Sequence, residues 1–202
     1  MVTIDSHFIG NFKDGDNICY NLTVLDILYA TYREREPQIR SYLHKPMVVF
    51  NVSILEAALD DLFYKIKRYT REGVPNIPSE LTTLVRSKPP FHYKFEKHIR
   101  LSERYDLLDA NGSHLYTALH DLRKLRNRMH IQNNHRTPPP DERRAFSVEA
   151  LIKSEKVCEY VLKKMSDKFP RSPFATNFVE DFILPWDSHL TQIEEGNAFP
   201  EQ

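Results

Sequence analysis

The chain reads as an all-α protein, a single antiparallel helical bundle of about five main helices. Apolar residues recur at three- and four-residue steps over several long stretches, which is the period of a helix face. Only five of 202 residues are glycine, which argues against a Gly-rich nucleotide-binding fold. Proline- and glycine-containing breaks separate the periodic stretches. Hydrophobic content of 41% and charged content of 28% are globular values, and the length suffices for one domain with a sizeable core.

The expected organisation is an N-terminal arm over 1–20, a bundle over 21–169 and an irregular C-terminal tail over 170–202. The arm holds Gly10, Asn11 and Asp14-Gly15-Asp16 with few periodic apolar residues. The acidic run resembles the start of a calcium loop but has a misplaced glycine and no closing glutamate, so a turn is expected. Asn21 is expected to cap a helix with Leu22, Leu25, Leu28, Ala30 and Tyr32 inward. A charged break, Arg33 to Glu36, leads to Pro37 and a short segment ending near His44. Pro46 is expected to open the longest helix, to about Tyr69, because proline is tolerated at a helix start. Its core face is Val48, Val52, Leu55, Leu59, Leu62, Phe63 and Ile66, widened by Met47, Phe50, Ile54 and Ala58. Glu56 and Asp60 lie four apart on one face of it and are expected to take cations, the arginines described below being the candidates; the alternative is that both face water. A short helix is expected over Ser79–Val85, and another over about Tyr93–Leu108, with Phe95, Ile99, Tyr105 and Leu108 inward. The brief Asp109–Gly112 turn makes that helix and the next antiparallel neighbours. Ser147 reads as the N-cap of a last helix to about Lys168, with Val148, Leu151, Val157, Val161, Leu162 and Met165 inward. The tail after Pro170 is apolar but irregular, suited to lying across the bundle or meeting a partner.

The stretch between these last two helices, Ser113 to Arg136, is both strongly periodic and the most basic. Leu115, Ala118, Leu119, Leu122, Leu125 and Met129 form one helical stripe after the Asn111-Gly112 break, with Ser113 as N-cap. With Leu122 at zero, Arg126, His130, Arg123 and Asn127 fall at about 40°, 80°, 100° and 140°, a polar strip along one border of the stripe. Lys124, Arg128 and Asp121 point toward solvent. Asp121 is the one acid between positions 121 and 136, against Arg123, Lys124, Arg126, Arg128 and Arg136, with His130 and His135 besides. The whole chain is neutral, with 28 basic and 28 acidic residues, so the positive field is local. Arginines beside a histidine suit a phosphodiester: guanidinium gives bidentate contacts to phosphate oxygens, and imidazole exchanges a proton near neutrality.

Arg123-Lys-Leu-Arg126-Asn127-Arg128-Met129-His130 resembles the R-x4-6-H signature of the HEPN superfamily. Six residues separate Arg123 from His130, and Asn127 follows Arg126 as a polar residue often follows the family's arginine. Gln132 stands where a familiar variant has tyrosine. The resemblance covers about Pro46 to Phe169. It implies a HEPN-like all-α domain, commonly a homodimer with its motif helices facing across a two-fold axis. It also implies a metal-independent endoribonuclease of anti-phage defence or toxin–antitoxin systems, with an antitoxin or defence-system partner. His130 would exchange the proton of the ribose 2′-hydroxyl or of the leaving 5′-oxygen. Arg123 or Arg126 would stabilise the phosphorane-like charge, and Asn127 would orient phosphate or imidazole. RNA is required because the nucleophile is the 2′-OH, and the product carries a 2′,3′-cyclic phosphate. Lys124, Arg128, His135 and Arg136 are expected to bind the substrate RNA, with Glu56 and Asp60 as supporting acids.

Other chemistries find little footing. None of the nine histidines makes a HExxH pair, so no metal site and no cofactor is expected. GxSxG and P-loop motifs are absent. Cys19 and Cys158 form no CxxC and read as reduced, in a cytoplasmic protein without a secretory signal. No apolar run reaches membrane-span length. The alternative to an enzyme is a helical RNA-binding or protein-interaction module in which Arg123 and Arg126 are structural partners of Glu56 and Asp60.

Overall fold

The computed structural model describes residues 1–87, 94–129, 141–176 and 178–190. In chain order these form β1 (Val2–Ile4), α1 (Phe12–Glu34), α2 (Pro37–Arg68), α3 (Ser79–Ser87), α4 (Phe95–Arg104), α5 (His114–Asn127), α6 (Glu142–Ala145), α7 (Val148–Lys168) and β2 (Phe182–Leu184). The protein is mostly helical, as the periodicity predicts. Its one sheet among the described residues pairs β1 and β2 antiparallel, with Val2 opposite Leu184 and Ile4 opposite Phe182.

Helix α2 is central: α1, α3, α4, α5, α6 and α7 all pack on it. Its expected core face is buried in full, as are Met47, Ile54 and Ala58, with Phe50 half-buried. Its start differs from expectation. Pro46 lies inside the helix, and Pro37 is the proline in its first turn. Pro46 has no N–H to offer the Tyr42 carbonyl one turn back, a defect that usually breaks a helix. The helix nonetheless continues through it, with His44 and Met47 buried on either side. The expected short segment over 37–44 is thus the first quarter of α2.

The arm expected over 1–20 is instead β1 followed by the opening turns of α1. Asn11 caps that helix by accepting from Lys13 N at 3.1 Å. The Asp14-Gly15-Asp16 run is helical, and at Gly15 the helix meets Val179 so closely that a Cβ would collide with it. Asn21 sits mid-helix and donates to Asn17 O. Leu22 and Leu25 face inward as expected, Ala30 is exposed, and Tyr29 takes the buried position.

What holds this entry in place is an ion pair inside the core. Asp61 accepts from Gly10 N at 3.0 Å and Asn11 N at 2.7 Å, so its carboxylate lies at the start of α1, where backbone N–H groups are unpaired. Lys65, one turn on and 3.9 Å away, donates to the Phe8 and Phe169 carbonyls. Burial pushes the Asp61 carboxyl up against the pull of Lys65 and the two N–H groups. Burial likewise pushes the Lys65 ammonium down against the pull of Asp61. Both shifts run against the charged forms, so the pair fixes geometry more than it adds net stability. Gly10 is required here: a Cβ would strike the Lys65 Cγ and Cδ.

The remaining elements follow their sequence signals with shorter bounds. The expected 93–108 helix is Phe95–Arg104, where Phe95 and Ile99 are buried; Leu108 is buried in the turn beyond it and Tyr105 is half-buried. Ser147 caps α7 by accepting from Ala150 N. Val148 departs from the inward set and is exposed. The tail crosses the bundle: Phe182, Leu184 and Trp186 are buried, Trp186 packs on Tyr29 with ring centroids 5.7 Å apart, and Arg33 Nη2 donates to Pro185 O at 2.7 Å. Residues 191–202 lie outside the described residues.

Asp61→Ala leaves the Lys65 ammonium buried and uncompensated and unties Gly10 and Asn11. Urea denaturation should show a loss of about 3–5 kcal/mol. Adding Lys65→Met to that variant should recover part of the loss, giving a non-additive double-mutant cycle.

Candidate functional site

Helix α5 presents the strip anticipated from its periodicity, over a shorter length. Leu115, Ala118, Leu119 and Leu122 are fully buried, and Leu125 is half-buried. Ser113 occupies the N-cap position with extended backbone, but its hydroxyl caps nothing and is buried without a partner among the described residues. The helix ends at Asn127. Arg128 N and Met129 N turn back to Leu125 O and Arg126 O at 3.0 Å each, a three-residue step that tightens the final turn. Met129 is therefore off the apolar stripe and 49% exposed. His130, His135 and Arg136, expected as catalytic and RNA-binding groups, lie outside the described residues.

Arg123 and Arg126 occupy the border of the stripe, each half-buried, and Asn127 is exposed. They are held differently. Arg126 Nη2 is 2.5 Å from Glu56 Oε2 of α2, so one of the two α2 acids does take a cation from α5. Arg123 Nη1 is 3.5 Å from Glu96 Oε2 of α4. Glu96 is shared, its other oxygen lying 2.7 Å from Arg100 Nη2. The Arg123 Nε–H is buried and has no partner among the described residues, an omission that typically costs about 1–3 kcal/mol. Arg126 is thus tightly paired, while Arg123 is loosely paired and under-satisfied. Asn127 follows Arg123 by one helical turn and shares its side of α5.

Asp60 lies against α4. One turn beyond Glu56, its Oδ1 is 3.6 Å from His98 Nε2 of α4. Arg128 does not point into solvent as the helical wheel suggests. Leaving the helix swings it to Glu142 of α6, with Nη2 3.3 Å from Oε1 and the side chain only 15% exposed. Lys124 pairs with Asp121 at 3.1 Å, and Lys153 of α7 approaches the same carboxylate at 3.4 Å. The acids around α5 therefore arrive from α2, α4 and α6. Folding offsets much of the positive field that a count along the sequence suggests.

Glu96, His98 and His120 escape a reading of the sequence by motif. Glu96 carries the signal of a first-turn helix acid, but its pairing with Arg123 is tertiary. His120, three residues before Arg123, is held below its usual range first by burial and then by the Arg123 guanidinium. His98 is 1% exposed and stacks on Phe63, ring centroids 4.8 Å apart and nearly parallel. Burial, with a smaller push from Lys97, lowers it to about 4. Among the described residues, no group of three or more His, Cys, Asp or Glu is placed to hold a metal ion.

His98 is neutral in the folded protein at neutral pH. Between about pH 6.5 and pH 4 the unfolded chain binds a proton that the native state refuses, so its contribution to stability falls as pH falls. Measured as a difference from His98→Phe, the parent should lose stability relative to the variant across that window and keep a constant difference above pH 7.5. Urea midpoints taken at half-unit steps check this.

The chain matches no protein-family model, no curated protein and no solved structure.

Proposed function

We propose that the chain is a metal-independent endoribonuclease of the HEPN type, built on a HEPN-like helical bundle. It cleaves RNA by 2′-hydroxyl attack to leave a 2′,3′-cyclic phosphate. The observation that carries the reading is the state of Arg123. It is a half-buried guanidinium with a long shared carboxylate contact and an N–H that meets no partner among the described residues, one helical turn from Asn127 and seven positions before His130. Such a group exchanges a weak carboxylate contact for phosphate oxygens at small cost. Arg123 is therefore the arginine we assign to the transition-state charge, with His130 as the proton-exchanging group. Arg126, locked to Glu56, positions the strip. In-line displacement needs an acid and a base on opposite sides of the phosphorus. We therefore propose a homodimer in which two α5 helices face each other, acting in the cytoplasm in anti-phage defence or a toxin–antitoxin pair, with an antitoxin as restraint. Among the described residues no helix is long and apolar enough to cross a membrane.

The ion pairs themselves favour a second reading. Arg123 with Glu96, Arg126 with Glu56 and Arg128 with Glu142 are what a non-catalytic RNA-binding or protein-interaction module would use to brace α5.

Single-stranded RNA and tRNA incubated with the protein in EDTA separate the two. The enzyme predicts cleavage with 2′,3′-cyclic ends, lost in His130→Ala and reduced about 10²- to 10³-fold in Arg123→Ala at unchanged melting temperature. Arg126→Ala should lower thermal stability by the equivalent of about 1 kcal/mol or less and retain more activity than Arg123→Ala. Binding without cleavage supports the module, and cleavage that requires magnesium sinks the metal-free scheme. Light scattering should give a dimer mass.

A further inference from the structure

At the C-terminal end of α5 the surface continues onto α6 and the first third of α2. Glu142 joins the three, receiving Arg128 of α5 at 3.3 Å and, through its other oxygen, Lys45 of α2. Tyr42 lies one turn before Lys45 on the same side of α2. Its ring is 64% exposed and is backed by Arg143, whose guanidinium carbon lies 5.3 Å from the ring centroid while Nη2 donates to the Tyr42 hydroxyl at 2.9 Å. Arg144, the next residue of α6, has its side chain 84% exposed; Asp141 is 3.9 Å from it and already accepts from the Arg144 backbone N–H. Among the described residues this surface thus carries four cations (Lys45, Arg128, Arg143, Arg144) and the two carboxylates that three of them pair with (Asp141, Glu142), an excess of positive charge.

We infer that Tyr42 and Arg143 form a stacking platform for an unpaired base of single-stranded RNA, with Lys45, Arg128 and Arg144 along its phosphates. A Tyr ring steadied by a guanidinium has its orientation set in advance, so a base stacks on it with little loss of side-chain freedom. Stacking needs a base that is out of a duplex, and the cationic excess supplies the backbone attraction. An exposed tyrosine elsewhere in the protein, such as Tyr20 at 70% exposure, has no such cationic setting among the described residues. The inference rests on the reading of α5 as the RNA-handling helix and extends that site by one base-binding position.

The test uses a fluorescently labelled single-stranded oligoribonucleotide with every ribose 2′-O-methylated, which the protein can bind but cannot cut by 2′-hydroxyl attack. Anisotropy titration of the full chain should show binding that Tyr42→Ala weakens about tenfold and Arg143→Ala weakens several-fold. Tyr42→Phe, which keeps the ring, should stay within about twofold. The matching duplex should bind more weakly and be indifferent to Tyr42→Ala. No binding by the parent, or equal binding by Tyr42→Ala, overturns the platform. Binding of an acidic peptide that depends on Tyr42 while RNA binding does not also overturns it, in favour of a protein partner. Cleavage of unmodified RNA is scored separately, so loss of the platform and loss of the nuclease reading are distinguishable.

Discussion

Helix α2 is enclosed by neighbours, and that enclosure forces polar side chains into the core. His44, Asn51, Asp61 and Lys65 are all buried, and each makes a hydrogen bond to a different part of the chain. His44 Nδ1 meets Phe146 O at 3.1 Å just ahead of α7, and Asn51 Nδ2 donates to Ser154 Oγ on α7 at 2.9 Å. Asp61 takes the start of α1, and Lys65 reaches the Phe8 and Phe169 carbonyls. A buried polar group left alone costs about 1–3 kcal/mol, so these partners are obligations. The apolar face of α2 makes neighbours necessary; its polar residues decide where they dock.

The same enclosure shapes the surface around α5. Its arginines sit where α2, α4 and α6 converge, and each of those helices contributes a carboxylate: Glu56, Glu96 and Glu142. The three pairings differ in closeness and burial, so residues that look alike along the sequence are unequal in space. Tight pairing makes a guanidinium a brace. Loose pairing leaves donors directed at whatever anion arrives.

Much of this was legible beforehand where a helix has one apolar face and a local stop signal. The core stripe of α5, the Ser147 cap of α7 and the inward set of α2 are of that kind. The misreadings share a cause, which is that long-range contacts overrode local signals. Pro46 reads as a start, and the helix continues through it with buried residues on either side. Residues 12–20 read as a loop because Gly15 and its flanking acids disfavour a helix, yet Gly15 is where the helix must approach Val179. The polar border of α5 was visible from its period, and so was the Glu56 pairing. Glu96 and Glu142 were not, since they lie 27 and 14 residues from the arginines they meet with no periodic relation to them. The end of α5 at Asn127 carries no glycine or proline to announce it.

The strap formed by Phe182 to His189 closes over Tyr29 of α1 and Glu155 and Glu159 of α7. His189 Nε2 lies 2.6 Å from Glu155, which also accepts from the Tyr29 hydroxyl, and the His189 N–H and Ser188 hydroxyl reach Glu159. Part of the hydrogen bonding of two α7 acids therefore comes from residues about 30 positions further on, so detaching the strap would leave both carboxylates short of partners at the α1–α7 seam.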